Sequence, residues 1–165
     1  MSLIYISDTN IWIDFRNAGL LEHMFRLPFT LCCTDFVMHE LEDFAHDELL
    51  AQGLVVESFD ERGVQKLWAL KIAHNNSALA DVSCYLLAQI TGRPLLTGDG
   101  KLRRQAIQDG LQVHGALWLL DLYGRASSHQ LWRRSDGARH HVSGRLSLAR
   151  IRMPSPTVYL ASEPS

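Results

Sequence analysis

Short apolar runs alternate along this chain with longer segments of helical periodicity, and this alternation limits the folds open to it. Five runs are predicted to be strands, at residues 3–6, 30–34, 54–56, 94–97 and 111–113. Six segments are predicted to be helices, at residues 9–26, 36–52, 60–72, 77–90, 100–109 and 117–123. Strands that alternate with helices form parallel sheets covered on both faces. The pattern therefore predicts an α/β fold with a five-stranded parallel sheet.

Capping residues and glycines mark several of the predicted helix ends. Thr34 and Asp35 precede the second helix, and Gly53 follows it. Thr and Asp side chains accept hydrogen bonds from the first N–H groups of a helix, whereas Gly tolerates the left-handed conformation at its end. By the same reasoning, Asp60 and Ser77 are predicted to cap the next two helices.

Aromatic and sulfur-containing side chains are predicted to lie in the core. The residues in question are Trp12, Trp68, Trp118, Cys32, Cys33 and Cys84. An odd number of cysteines, two of them adjacent, is typical of a reducing compartment. No apolar run reaches the length of a membrane-spanning helix. The sequence thus predicts a soluble cytoplasmic protein with no membrane partner.

Charge is unevenly distributed along the 165 residues, although the net charge is only −2. Residues 1–124 carry 16 acidic and 9 basic side chains, whereas residues 125–165 carry 2 acidic and 7 basic ones. We expect a single domain at 1–124, followed by a partly disordered Arg/Ser/His-rich appendage at 125–165 with one short element near 146–151. The acidic domain lacks the charge of a simple nucleic-acid binder, but it could still bind nucleic acid if metal ions reversed the sign of its site.

Four acidic residues are predicted to lie at the carboxyl ends of strands, where parallel α/β folds carry their chemistry. Asp8 follows the first strand, and Asp99 follows the fourth. Glu40 and Asp81 lie near the starts of two helices. Mg²⁺ prefers carboxylate oxygens and keeps several waters. Because four converging carboxylates would repel one another strongly, the pattern predicts a site for a divalent metal.

Each of these acids also has a structural interpretation. Asp8 and Asp99 are typical of helix caps or turns, and Glu40 alone is typical of a solvated helix surface. Asp81 differs because its neighbours are small or apolar, and a buried charge needs a partner or a metal.

The motifs around these acids resemble those of PIN-domain ribonucleases, a family that includes the VapC-type toxins of bacterial toxin–antitoxin pairs. The motifs are SDTNIWID at residues 7–14, DFVMHEL at 35–41, SALADVS at 77–83 and LLTGDGKL at 95–102. Each motif is weak by itself. Together they occur in order at the expected strand–helix junctions, within a match that covers about residues 3–120.

The resemblance implies a PIN-like three-layer α/β/α fold and a Mg²⁺- or Mn²⁺-dependent endoribonuclease acting on RNA. Its catalytic and metal-binding residues would be Asp8, Glu40, Asp81 and Asp99, supported by Ser7, Asn10 and Thr97. For a toxin, the resemblance also implies a small antitoxin protein as partner. Whether the chain forms a homodimer is left open.

Three basic residues that follow Asp99 are candidates for binding substrate phosphates, although a solvated helix face explains them equally well. They are Lys101, Arg103 and Arg104. Two other function classes stay open at this point. One is a PIN-like module that binds nucleic acid or protein with little activity, and the other is a metal-dependent phosphohydrolase acting on small phosphoesters.

Overall fold

A computed structural model describes residues 3–134 of the chain, with side chains described for residues 3–126. The five predicted strands form one parallel sheet, which confirms the predicted fold class. The strands are β1 (Ile4–Ser7), β2 (Thr30–Thr34), β3 (Val55–Glu57), β4 (Leu95–Leu96) and β5 (Val113–His114). Their order across the sheet is β3-β2-β1-β4-β5.

The register of the sheet brings the ends of β1 and β4 together. Ser7 pairs with Leu96, and the N–H of Asp8 donates to the carbonyl of Leu96 at 3.0 Å. The residues that follow the two strands are therefore neighbours at the carboxyl edge. This is the place where a parallel sheet gathers functional side chains from distant parts of the sequence.

The described residues contain eight helices, which occupy most of the connections. They are α1 (Thr9–Asn17), α2 (Leu21–Met24), α3 (Asp35–Glu40), α4 (His46–Ala51), α5 (Glu61–Ala73), α6 (Leu79–Thr91), α7 (Gly100–Gln108) and α8 (Ala116–Arg134). The predicted single helices at 9–26 and 36–52 are wrong in one respect, because each is divided into two shorter helices.

Backbone turns explain both breaks. After α1, Gly19 adopts a left-handed conformation with φ of 69°, which a helix cannot continue through. After α3, the backbone of Leu41 leaves the helical region. A ring nitrogen of His46 lies 2.7 Å from the Leu41 carbonyl oxygen and closes the turn into α4. The break after α3 leaves Glu40 at the end of a short helix.

Two of the predicted helix caps are confirmed, and one is wrong. Thr34 accepts from the N–H of Val37, and Asp60 accepts from the N–H of Gly63. Helix α6 instead begins after Ala78, which makes no side-chain cap bond. The Ser77 side chain is bonded elsewhere, as described below.

The core lies on both sides of β1, β2 and β4 and includes all three cysteines. Trp12 is fully buried, as predicted, and Trp118 is half-buried against Tyr5. The prediction that Trp68 belongs to the core is wrong, since its side chain is 55% exposed. Apolar periodicity placed Trp68 beside Leu67 on one face of α5. In the described part of the chain, only the Leu67 side of that helix is covered.

Helix α8 extends well beyond its predicted end at residue 123 and reaches Arg134. The predicted domain boundary at residue 124 therefore falls inside a helix. The predicted element near 146–151, and the rest of the appendage after residue 134, lie outside the described residues. None of the helices described here is both long and apolar enough to cross a membrane.

Candidate metal centre

Asp8 is fully buried at the junction of β1 and α1, where it joins two segments of chain. One carboxylate oxygen caps α1 by accepting from the N–H of Ile11 at 3.0 Å. The other accepts from the N–H of Gly98 at 2.9 Å. Burial raises the pKa of Asp8, although hydrogen bonds from Thr97, Ile11 and Gly98 oppose the rise, and the nearby charge of Asp99 adds to it. The carboxylate is held rigidly.

Asp99 follows β4 and caps α7. Its Oδ1 accepts from the N–H groups of Lys101 and Leu102 at 2.8 and 3.2 Å, and its Oδ2 accepts from the Ser77 hydroxyl at 2.8 Å. Burial alone would raise the pKa of Asp99. The hydrogen bonds from Ser77, Lys101 and Leu102 and the Lys101 charge outweigh that effect and lower it. Asp99 is thus ionised at neutral pH.

Thr97 connects the two aspartates. Its hydroxyl accepts from the N–H of Asp99 at 3.1 Å and is close enough to the carboxylate of Asp8 to lower the pKa of that group. The side chain is 1% exposed. Thr97 thus lies between the two carboxylates and interacts with both residues.

Asp81 lies in the first turn of α6 with only 4% of its surface exposed. Its Oδ1 has no hydrogen-bond partner in the described structure. Burial raises the pKa of Asp81 to about 7, with further contributions from the charges of Asp8, Glu40 and Asp99. The four predicted acids are therefore close enough to interact electrostatically.

Glu40 is exposed at the end of α3 and lies on the wall of a cleft. Its Oε2 accepts a 2.6 Å hydrogen bond from the hydroxyl of Thr9 in α1. The cleft has a volume of about 560 Å³. Its lining residues are Thr9, Asn10, Ile13, His39, Glu40, Glu42, Ala78 and Asp81. Glu40 and Asp81 thus face a space large enough for a hydrated ion and part of a substrate.

The donor set fits a hydrated Mg²⁺ or Mn²⁺ ion. Among the residues that the structure describes, no three His, Cys, Asp or Glu side chains lie close enough to form a ready-made cage. Mg²⁺ seldom needs one, because it binds through one or two carboxylates and keeps its waters. Asp81 is a buried carboxylate with an unpartnered oxygen, and three other acids are near enough to raise its pKa. A divalent cation at this place would offset that repulsion.

The predicted supporting residues occupy different positions. Ser7 is fully buried at the end of β1, with its hydroxyl 3.4 Å from the carbonyl of Asp8. Asn10 is exposed at the cleft, and its Cβ would lie 3.1 Å from a Cβ added to Gly98. The predicted phosphate-binding residues Lys101, Arg103 and Arg104 are all exposed on α7.

Sequence reasoning missed two hydroxyl groups that hold the acids. Thr9 donates to Glu40, 31 residues away, and Ser77 donates to Asp99, 22 residues away. Ser77 was visible as a polar residue before a helix, but that pattern indicated a cap. Thr9 follows Asp8 directly, and nothing local indicates its distant partner.

A family model described as a PIN domain matches residues 4–128. The chain belongs to the PIN-domain family. The match spans all five strands and all four acids of the site. No curated protein matches the sequence significantly.

Two solved structures resemble this PIN domain. One is a PilT N-terminus domain protein from the hyperthermophilic archaeon Sulfolobus solfataricus P2, with a TM-score of 0.51 and 13% identity over 86% of this chain and 100% of that one. At such low identity, this similarity supports the fold alone. The other is VapBC2 from Rickettsia felis bound to a DNA fragment from its promoter, with a TM-score of 0.47 and 16% identity over 68% of this chain and 98% of that one.

Proposed function

We propose that this PIN domain is a metal-dependent endoribonuclease, with Asp8, Glu40, Asp81 and Asp99 as its metal-binding and catalytic residues. The observation that carries the proposal is the buried carboxylate of Asp81, which has an unpartnered oxygen and the charges of three other acids around it. A module that only binds a partner has no physical reason to keep such a destabilising cluster.

The four acids have different surroundings, and we assign them different roles in binding the ion and orienting water. Asp99 is ionised and partly exposed, and Asp8 is fully buried and fixed by the N–H groups of Ile11 and Gly98. These hydrogen bonds hold both carboxylates in place, which lowers the reorganisation that ion binding would require. Glu40 and Asp81 line the cleft, where they would orient a water for attack on a phosphate. A bound Mg²⁺ or Mn²⁺ supplies an activated water near neutral pH and offsets the negative charge of the phosphate.

The test is cleavage of a labelled RNA pool by the full chain with Mn²⁺ or Mg²⁺. We expect internal cuts with either metal and none in excess EDTA, because the carboxylates alone do not supply an activated water. A small chromogenic phosphodiester serves as the comparison substrate. Rapid hydrolysis of that compound with intact RNA would favour a small-molecule phosphohydrolase. Failure of the folded protein to cleave either substrate would favour a binding module.

We further propose a toxin role with a small antitoxin partner that inserts a basic side chain into the cleft. Arg or Lys can replace the charge of a cation beside carboxylates, and the cleft presents Glu40, Glu42 and Asp81 together. Co-expression with the adjacent reading frame should yield a stable complex that no longer cleaves RNA. Glu42→Gln should keep the cleavage activity and weaken that complex, since Glu42 lies outside the four proposed ligands. An unaffected complex would contradict this docking position.

A further inference from the structure

The three cations of α7 follow the same aspartate but have different surroundings. Lys101 is near enough to Asp99 for its charge to lower that residue's pKa. The Nε of Arg104 donates to the carbonyl of Gly100 at 3.2 Å, so its guanidinium lies along its own helix. The Arg103 side chain extends instead to the start of α8, where it meets Gly115.

Because Gly115 has no side chain, the Arg103 guanidinium can occupy the space beside its Cα. A Cβ added to Gly115 would lie 3.0 Å from Nη1 and 3.8 Å from Cζ of Arg103. The same Cβ would lie 3.8 Å from the carbonyl oxygen of Thr97. Gly115 is not among the glycines with positive φ, so its backbone does not require glycine. The missing side chain matters because it lets the guanidinium approach the backbone closely.

Arg103 has no carboxylate partner within the part of the chain that the structure describes. The titratable neighbour that responds to it is His114, whose pKa is lowered by burial and then by the Arg103 cation. The Arg103 side chain is also exposed. It therefore presents an uncompensated positive charge to solvent, unlike Arg93, which pairs with Glu57 at 2.7 Å.

The position of Arg103 relative to the acids suits an extended substrate. Its N–H donates to the carbonyl of Asp99 at 2.9 Å, so it lies one helical turn beyond that acid on the same side of α7. Strand β2, which leads into α3 and Glu40, lies on the opposite side of β1 from β4. A strand of nucleic acid crossing the carboxyl edge of the sheet would pass the acids and then reach Arg103.

We propose that Arg103, seated against Gly115, binds a backbone phosphate of the RNA next to the metal centre and so contributes to the affinity for the strand. The inference rests on the proposed function. It identifies Arg103, among the three basic residues of α7, as the one that binds phosphate. A guanidinium presents a planar fork that matches two phosphate oxygens. Because phosphate contacts carry no sequence information, Arg103 contributes affinity rather than base preference.

Binding of a fluorescein-labelled single-stranded RNA tests the proposal without requiring cleavage. We would measure fluorescence anisotropy in EDTA over a range of salt concentrations for the full chain and its variants. Arg103→Ala should raise the Kd for RNA about 5-fold, and by the same factor for different RNA sequences. The slope of log Kd against log salt concentration should fall by the amount that corresponds to about one phosphate contact. Arg104→Ala is the matched control, because it removes the same charge from the neighbouring position. Its effect should stay below about 2-fold.

Two further variants separate placement from charge. Gly115→Ala keeps the Arg103 charge but displaces its guanidinium, so Kd should rise by about 2- to 3-fold with an unchanged melting temperature. Arg103→Lys keeps the charge and loses the fork, so the salt dependence should match the wild type while Kd rises. Equal effects of Arg103→Ala and Arg104→Ala, or none from either, would overturn the proposal. An unaffected Kd in a folded Gly115→Ala variant would overturn the role of Gly115.

Cleavage kinetics with Mn²⁺ distinguish this inference from the proposed nuclease activity. Arg103→Ala should raise KM by a factor similar to the rise in Kd and leave kcat within about 2-fold, since Arg103 touches flanking phosphate rather than the reacting atoms. If the wild type binds RNA through Arg103 but never cleaves it, the nuclease proposal fails and the phosphate site stands. If the wild type cleaves RNA and Arg103→Ala binds RNA normally, the phosphate-site proposal fails and the nuclease proposal stands.

Discussion

Asp99→Asn is expected to lower RNA cleavage by at least about 100-fold while leaving the fold intact. The substitution removes the charge of an acid whose pKa is lowered, and hence of a ligand that is ionised at neutral pH. Measurement of kcat at saturating RNA in Mn²⁺ gives the size of the loss. A variant that keeps more than about a tenth of the activity would contradict a metal-binding role for Asp99.

The fold should survive because asparagine can make the same hydrogen bonds at this position. The side-chain carbonyl of Asn can accept from the N–H groups of Lys101 and Leu102, as Oδ1 of Asp99 does now. Its NH₂ group would face the Ser77 hydroxyl, which can rotate and accept instead of donating. The melting temperature in EDTA should therefore stay close to that of the wild type.

Asp8→Asn is a less specific probe of the same centre. The Oδ2 of Asp8 accepts from the N–H of Gly98, and an amide NH₂ at that position would place two donors face to face. Loss of activity would then combine loss of a ligand with local rearrangement. Asp14→Asn, at an exposed position on α1, is the control for both variants. It removes one acidic charge outside the cleft and should leave kcat unchanged.

The strand–acid junctions could be predicted because their signals are local. An apolar run followed by Asp8 or Asp99 shows both the end of a strand and the start of a helix, and parallel topology then brings the ends of strands together. The helix breaks after α1 and α3 were harder to predict. Gly19 was a visible signal for the first break, but the second depends on how Leu41 and His46 meet in the folded chain.

Long-range partners were beyond local reasoning. The hydroxyls of Thr9 and Ser77 bond to acids 31 and 22 residues away, and no periodicity encodes such pairs. Trp68 illustrates the same limit for packing, because an apolar stripe shows which residues share a face but not whether anything covers that face. The roles of the cations on α7 also depended on structure, since Arg103 contacts Gly115 whereas Arg104 donates to the carbonyl of Gly100.

The second large effect concerns the free energy of unfolding without metal. The pKa of Asp81 is raised to about 7 in the folded chain, first by burial and then by the charges of Asp8, Glu40 and Asp99. Its pKa in the unfolded chain is about 3.9. Between these values the folded state binds more protons at Asp81, so the contribution of Asp81 to stability is largest at low pH and is lost as the pH rises towards 7. From about pH 5 to about pH 8 the loss due to Asp81 should approach about 3 kcal/mol.

Asp81→Asn should remove most of this pH dependence, because the amide does not titrate. Urea unfolding in EDTA at several pH values measures the effect, and Asp47→Asn, at an exposed position on α4, should keep the wild-type slope. Mn²⁺ should then narrow the difference in stability between the wild type and Asp81→Asn at about pH 8. It stabilises a protein that binds it by about 2.7 kcal/mol at one hundred times Kd, and the variant has lost a ligand. If Asp81→Asn kept the wild-type slope in EDTA and gained the same stability from Mn²⁺, Asp81 would be neither the repelled carboxylate nor a metal ligand.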